Sequence, residues 1–333
     1  MTHYLVSHKI ALPLLVLFVF SACLAEPQHH AAYSLMMEAA EKSHRAEEAL
    51  CAHKVALGLY DSTLDPNHTG LVGVEYSKIT TTLGVLKAKR TATNPDFAAY
   101  IVRELVDHGI GSGDSVLVTM TGSFAGLDLA VLMALETMDI PSLRVVSLGA
   151  SSYGANQEDF TWLDIEDFLV HNHLLTRRSD FVTLGGSGDV GGGISKDVRW
   201  QLRNKAERLG YPILKSQSAK KQAVRRRQEL GDPRKYSLLI NVGGNQAMLG
   251  GKQGRELPGG WIPGFVDSLN DDDSPDEVEG IVFDFLEDGI PVLNLLHIED
   301  IAASAGIPFD PPVPPPIGQS SLYFMKAPAE KTE

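Results

Sequence analysis

The middle of the chain alternates between short apolar runs and longer segments with helical spacing. Strands are predicted at 115–122, 143–149, 180–186, 211–214, 236–244 and 291–296. Helices are predicted at 94–108, 125–138, 160–173, 195–209, 215–230, 277–287 and 298–305. Strands that are apolar on both faces and alternate with helices are typical of a largely parallel sheet with helices on both faces. The pattern therefore predicts an α/β fold.

Four of the predicted strands run into glycine-rich loops, which read TGSFAG, GASSYGAN, GGSGDVGGG and NVGGNQAMLGG. In open α/β sheets, ligands bind at the carboxyl ends of the strands. We therefore expect the four loops to form one concave site. The candidate ligand-binding residues in these loops are Gly122, Ser151, Asn156, Gly186, Gly188 and Asn245.

The third loop contains G-x-G-x-x-G, which superficially matches a dinucleotide-binding fingerprint. The acidic residue expected about 20 residues later would be Glu207, inside a predicted helix rather than after a second strand. We therefore predict no cofactor.

The first 25 residues follow a different pattern. Lys9 precedes an apolar run over residues 10–25, which has the form of a secretory signal. The run is shorter than the roughly 20 residues that a membrane-spanning helix needs. Ser21-Ala22-Cys23 resembles a bacterial lipoprotein processing site, so Cys23 is a candidate for lipidation. An uncleaved anchor and a cleaved soluble protein are the alternatives.

The chain divides by composition into four parts. We predict a signal peptide or membrane anchor at 1–25, a linker and N-terminal helix at 26–60, an α/β domain at 61–305 and a proline-rich tail at 306–333. The helix, predicted over 31–60, should pack on the domain, and the tail should be extended or disordered. We expect an inner-membrane anchor and a periplasmic domain.

Charge narrows the choice of partners. The net charge of −13 does not favour nucleic acid as a general partner. A basic stretch at 215–235 is interpreted as a solvated helix face, with an anion-binding surface as the alternative. The acidic run at 271–276 is interpreted as a solvated loop, and no metal site is predicted.

The segment ITTTLGVLKAKR, residues 79–90, places hydroxyl groups close to three cations, Lys87, Lys89 and Arg90. Hydroxyl and backbone N–H groups beside cations suit a carboxylate or phosphate. A threonine can also be a nucleophile when a base activates it. The catalytic candidates in this segment are Thr80, Thr81 and Thr82. A β-strand with exposed threonines and a basic rim is the alternative.

Four further residues are catalytic candidates. Ser123 lies at a strand–helix turn, but the G-x-S-x-G of a nucleophile elbow reads T-G-S-F-A here, which favours an anion-binding turn. Asp164 and Glu166 share a face only if their segment is extended, because a helix separates them by about 200°. In a helix, a first-turn acid is the alternative reading. Asp189 lies among six glycines of the third loop.

Long strings in the sequence resemble the poly-gamma-glutamate system protein family. They are DPNHTGLVGVEYSKITTTLGVLKAKRTATNPDFAAYIV, TGSFAGLDLA, LGASSYGAN, FTWLDIE and NVGGNQAMLG. The resemblance covers residues 31–305 and implies a bacterial protein encoded with the machinery that makes and exports poly-gamma-glutamate. The polymer or its synthesis and export complex would be the partner. The resemblance implies no reaction and no catalytic residues.

Three functions remain open from the sequence. The chain could be an accessory protein that binds the anionic polymer or its synthase. It could be a hydrolase or transferase acting on gamma-glutamyl amides, with Thr or Ser as nucleophile and Asp164, Glu166 or Asp189 as acid or base. It could also be a scaffold that acts through the helix predicted over 31–60.

Overall fold

The computed structural model describes residues 28–265 and 279–325. The predicted anchor at 1–25, with Cys23, and the acidic run at 271–276 lie outside the described residues. Within the described ranges, no helix is both long and apolar enough to cross a membrane.

Helices and strands alternate through most of the described chain. The α-helices are α1 (Tyr33–Ala56), α2 (Leu86–Ala92), α3 (Asp96–Asp107), α4 (Ala125–Thr137), α5 (Trp162–His171), α6 (Lys196–Arg208), α7 (Ala219–Leu230), α8 (Gln246–Leu249), α9 (Lys252–Glu256), α10 (Ile281–Glu287) and α11 (Ile298–Ala305). The strands are β1 (Thr80–Thr82), β2 (Val116–Thr121), β3 (Ser142–Ser147), β4 (Ala150–Ser151), β5 (Asn156–Gln157), β6 (Phe160–Thr161), β7 (Phe181–Thr183), β8 (Gly185–Gly186), β9 (Val190–Gly192), β10 (Leu238–Val242), β11 (Gly260–Ile262) and β12 (Val292–Leu295).

The central sheet has six strands in the order β11-β12-β10-β2-β3-β7. All neighbours pair in parallel except β11, which runs antiparallel to β12 at the edge. The chain proceeds from β2 to β3 and β7, then returns to β10 on the other side of β2. The strand order therefore reverses between β2 and β10, which is where doubly wound sheets open a crevice for ligands.

The central strands β2, β10 and β12 are buried on both faces. In β2, Val116, Val118 and Met120 belong to the larger apolar core, whereas Leu117 belongs to the smaller one. The larger core also contains Phe97 of α3, Leu129 of α4 and Trp162 of α5, and the smaller contains Leu230 of α7, Met248 of α8 and Phe285 of α10. Side chains alternate across a strand, so the two cores lie on opposite faces. The predicted α/β fold, with a largely parallel sheet flanked by helices, is confirmed.

Each parallel strand of this sheet overlaps a predicted apolar run. One predicted strand does not form. Residues 211–214 do not form a strand, because they contribute only a single bridge, Ile213 to Val182, beside β7. The helix predicted from 94 begins at Asp96, and the Asn94 side chain accepts the Asp96 N–H at 2.9 Å. The antiparallel strand β11 was not predicted.

Both ends of the described chain pack against the domain. The N-terminal helix α1 contacts α3 and α4, as its sequence predicts. The tail has little regular secondary structure, but it is anchored, because the Asp96 carboxylate accepts hydrogen bonds from Tyr323 and Ser320. Tyr323 is fully buried. The described part of the tail is therefore ordered by packing, contrary to a disordered end.

Candidate functional site

A cavity of about 660 Å³ opens where the strand order reverses. Residues that follow all five parallel strands line it, so it lies at the carboxyl edge of the sheet. With the last residues of β2 and β3 included, they are Thr121, Ser123 and Phe124 for β2, Ser147, Gly149 and Ser151 for β3, Gly185, Gly186 and Ser187 for β7, Gly244, Asn245 and Gln246 for β10, and Leu296 for β12. The remaining lining residues are Thr81, Thr82, Leu83, Gly84, Val85, Ala88, Lys89 and Arg255.

All four glycine-rich loops contribute to this lining, together with part of the segment 79–90 that carries the threonines and lysines. The loops approach one another closely because the residues at their contacts are glycines, which have no side chain. Gly186 has φ of +67°, and a Cβ there would lie 2.3 Å from the Gly192 carbonyl oxygen. A Cβ on Gly84 would lie 2.5 Å from the Ser152 carbonyl oxygen. Backbone therefore forms much of the wall, as expected where a ligand must approach closely.

Lys89 is the buried cation of the cavity. Its side chain is 5% exposed, and its amine lies 3.2 Å from the centroid of the Phe124 ring. Among the described residues, no carboxylate oxygen comes within 4.0 Å of this amine. Burial lowers the pKa of Lys89 to about 7, although the nearby Asp128 opposes the shift.

Asp128, in the first turn of α4, provides the nearest buried acid. It is fully buried, and burial raises the pKa of its carboxyl group well above the usual range, with Lys89 opposing the shift. A carboxyl group with a raised pKa holds its proton to higher pH, so it neutralises Lys89 less than an ionised partner would. Lys89 thus faces the cavity without a close counter-ion.

Hydroxyl groups line the cavity together with Lys89. Ser123 accepts the Ser151 N–H at 2.9 Å, which leaves its own proton free to be donated. The hydroxyls of Thr121 and Ser151 are buried and meet no hydrogen-bond partner within the described structure. A Cβ on Gly84 would lie 3.2 Å from the Ser151 hydroxyl and 3.3 Å from Cε of Lys89. The end of Lys89 and the Ser151 hydroxyl therefore flank the same point.

The charges that line the cavity have one sign. Lys89 lies inside it and Arg255 of α9 is exposed at its edge, and none of the lining residues of the described chain is acidic. The protein as a whole carries a net charge of −13. A cavity with two cations and no acid on such a protein is suited to an anion.

Beneath the cavity floor lies a buried polar network centred on Asp189 and Arg226. The guanidinium donates to the Asp189 carboxylate at 2.8 Å, and both side chains are 0% exposed. Ser147, Thr183 and Asn245 donate to the other carboxylate oxygen. The backbone of Asp189 is left-handed, with φ of +59°. This network holds Ser147 and Asn245, which line the cavity, in position.

Several candidate residues from the sequence lie outside the cavity. Asn156 donates to the Thr80 hydroxyl and to the Val74 carbonyl oxygen, so both Thr80 and Asn156 hold the 74–80 segment to the loop after β3. Arg90 donates to the carbonyl oxygens of Thr63 and Leu64. The side chain of Lys87 is exposed, and neither Gly122 nor Gly188 lines the cavity. The Gly188 N–H donates to Gln246.

The two acids of TWLDIE lie on a helix and do not act as a pair. Asp164 accepts the N–H and hydroxyl of Thr161 at the start of α5 and pairs with Lys205. Glu166 is buried and accepts hydrogen bonds from Ser179 and Tyr211. Burial raises the pKa of Glu166. The structure places both acids, and also Asp189, away from the cavity surface, which gives them structural roles.

Sequence reasoning missed several residues of the site. Phe124 and Thr121 flank the predicted Ser123 and could have been found from the same strand–helix turn. Arg255 follows no strand and carried no signal. Arg226 belongs to the basic stretch interpreted as a solvated face, yet it is wholly buried. Its neighbours Arg225 and Arg227 pair with Glu229 and Asp284 instead.

Comparisons with known proteins do not assign a function to this cavity. No protein-family model, no curated protein and no solved structure matches the chain. The site must therefore be interpreted from its own residues.

Proposed function

We propose that the cavity binds an anionic, carboxylate-bearing ligand. The single observation that carries the proposal is that Lys89 faces the cavity unpaired while no acidic residue lines it. A buried charge without a close partner is costly, and a bound carboxylate would offset that cost.

The surroundings of Lys89 support a carboxylate in particular. Ser123 and Thr82 offer hydroxyl protons, and α4 begins directly after Phe124, so the positive end of its helix dipole lies near the cavity wall. Charge-assisted hydrogen bonds of this kind are about twice as strong as neutral ones. Leu83, 90% exposed, and Phe124 offer apolar contact to the carbon chain of the ligand.

The ligand we propose is gamma-linked glutamate. The sequence strings that resemble the poly-gamma-glutamate system family are the support for this choice, and several of them form the cavity wall. In this proposal the chain is an accessory protein of the synthesis or export of that polymer. It would be held at the inner membrane through its N-terminus, with Cys23 as a lipidation site and the folded domain in the periplasm.

Titration calorimetry with gamma-glutamate oligomers at low and high salt tests the proposal. We expect the affinity to fall as salt rises, because salt screens the attraction between the oligomer and the two cations. An affinity that stays constant from low to high salt, or no binding at low salt, would contradict it.

A second candidate function is a hydrolase or transferase acting on gamma-glutamyl amides. The observation that favours it is that Ser123, Thr81 and Thr82 line the cavity with Lys89, so a hydroxyl and a base share one site. Chromatography of oligomers after incubation would show shortening that Ser123→Ala, or an alanine at one of the threonines, abolishes. Oligomers of unchanged length would exclude hydrolysis.

A further inference from the structure

Lys89 differs from two other lysines with little exposure, Lys54 and Lys205, in what its amine contacts. Lys54 is also buried, but it donates to the carbonyl oxygens of Gly70 and Val72. Lys205 donates to Asp164 and to the Glu158 carbonyl oxygen. The Lys89 amine instead lies against an aromatic ring at the cavity wall.

The Lys89 amine is buried and lies against an aromatic ring, an environment that suits a nucleophilic lysine. A lysine becomes a nucleophile at neutral pH when desolvation makes the neutral amine accessible. Burial lowers the pKa of Lys89 to about 7, so neutral and charged amine coexist at that pH. The nearest acid, Asp128, is fully buried and is not within ion-pair distance. Arg255 is the other titratable or charged residue that lines the cavity.

We propose that Lys89 forms an imine with a carboxylate-bearing aldehyde or ketone that enters the cavity. The lone pair of the neutral amine attacks the carbonyl carbon, and a C–N bond forms. The carbonyl oxygen leaves as water with the two protons of the amine, and a C=N bond remains. No electron transfer is involved. The proposal relies on the anion site proposed above for recognition of the carboxylate.

The surroundings favour this step at three points. The Phe124 ring shields the amine from water, which limits hydrolysis of the imine. The hydroxyls of Ser123 and Ser151 line the same cavity as the amine and can bind the departing oxygen. Arg255 at the edge of the cavity attracts the carboxylate, and thereby raises the local concentration of the carbonyl compound.

Reductive trapping of the full chain tests the proposal. The protein is incubated at neutral pH with glyoxylate and cyanoborohydride, which converts an imine into a stable secondary amine, and labelled lysines are located by peptide mass spectrometry. Lys87 is the matched control, because it lies on the same helix and is exposed. We expect Lys89 to be labelled at least about tenfold faster than Lys87, because a pKa lowered to about 7 leaves a large fraction of the Lys89 amine neutral at this pH.

Two comparisons complete the experiment. Acetaldehyde, which has no carboxylate, should label Lys89 more slowly than glyoxylate, and Arg255→Gln should slow only the reaction with glyoxylate. Arg255 is exposed, so this variant should fold. Equal labelling of Lys87 and Lys89, or equal rates with both aldehydes, would overturn the proposal. Salt-dependent binding of gamma-glutamate without selective labelling would overturn the imine and leave the proposed anion site standing.

Discussion

Two buried cations lie at the carboxyl edge of the sheet, and they differ in what surrounds them. Arg226, under the cavity floor, pairs with Asp189 and also donates to Ser147 and Thr183. Lys89, in the cavity wall, contacts a ring and has no close counter-ion among the described residues. A paired buried charge fixes structure, whereas an unpaired one costs stability and attracts a ligand. The comparison separates the supporting network from the binding surface.

The largest effect on stability should come from breaking the ion pair between Arg226 and Asp189. Arg226→Met leaves the Asp189 carboxylate buried without its counter-ion, so we expect the free energy of unfolding to fall by about 3–5 kcal/mol. Chemical denaturation measures this. A double variant, Arg226→Met with Asp189→Asn, should recover part of the loss, since asparagine also tolerates the left-handed backbone at this position. A loss below about 1 kcal/mol in the single variant would show that the network is not a supporting one.

Removing the unpaired cation should have the opposite effect on stability. Lys89→Met removes a buried charge, so we expect the free energy of unfolding to rise by about 0.5–2 kcal/mol. Affinity for gamma-glutamate oligomers should fall about 10- to 100-fold, as for loss of one charge-assisted hydrogen bond. Lys87→Met is the control, because Lys87 is exposed two residues away. A destabilised Lys89→Met protein with unchanged affinity would reverse the roles of the two cations.

The smallest effect should be the pH dependence of binding. The pKa of Lys89 is lowered to about 7, so its charged form is lost as pH rises through that value. Affinity should therefore weaken as pH rises through about 7, while the ligand carboxylates stay ionised. The stability gained from Lys89→Met should be greatest below pH 7, where the folded wild-type protein must bury a charged lysine. The gain should shrink above pH 7, because the folded protein then holds Lys89 neutral while the unfolded chain still carries the charge. A pH profile that is the same in wild type and Lys89→Met would contradict the assignment.

The sequence predicts the sheet and the location of the site better than the site's chemistry. Apolar runs such as 115–122 and 236–244 specify buried parallel strands, and glycines at their ends specify close loops. That pattern places the cavity at the strand ends. It cannot say which of Lys87, Lys89 and Arg90 faces inward, because tertiary packing of α2 decides this. Arg90 turns to the carbonyl oxygens of Thr63 and Leu64, and Lys89 turns to Phe124.

Buried charges were the hardest features to predict. The stretch Arg225, Arg226 and Arg227 has one composition but three environments. Arg225 pairs with Glu229 on the same helix, and Arg227 pairs with Asp284. Arg226 is wholly buried against a carboxylate 37 positions away. Asp189 likewise appears in the sequence as a candidate catalytic acid or base among six glycines. Long-range pairing of this kind has no local signature, since it depends on which helix covers which strand.

The most direct test compares two double variants in their binding to gamma-glutamate oligomers, measured by calorimetry at low salt. Lys89→Met with Arg255→Gln removes the cations of the cavity. Lys221→Gln with Arg225→Gln removes two exposed cations from α7, a basic helix that does not line the cavity. We predict that the first protein loses binding and the second retains it. Retained binding in the first protein and lost binding in the second would contradict the claim that the cavity is the anion site.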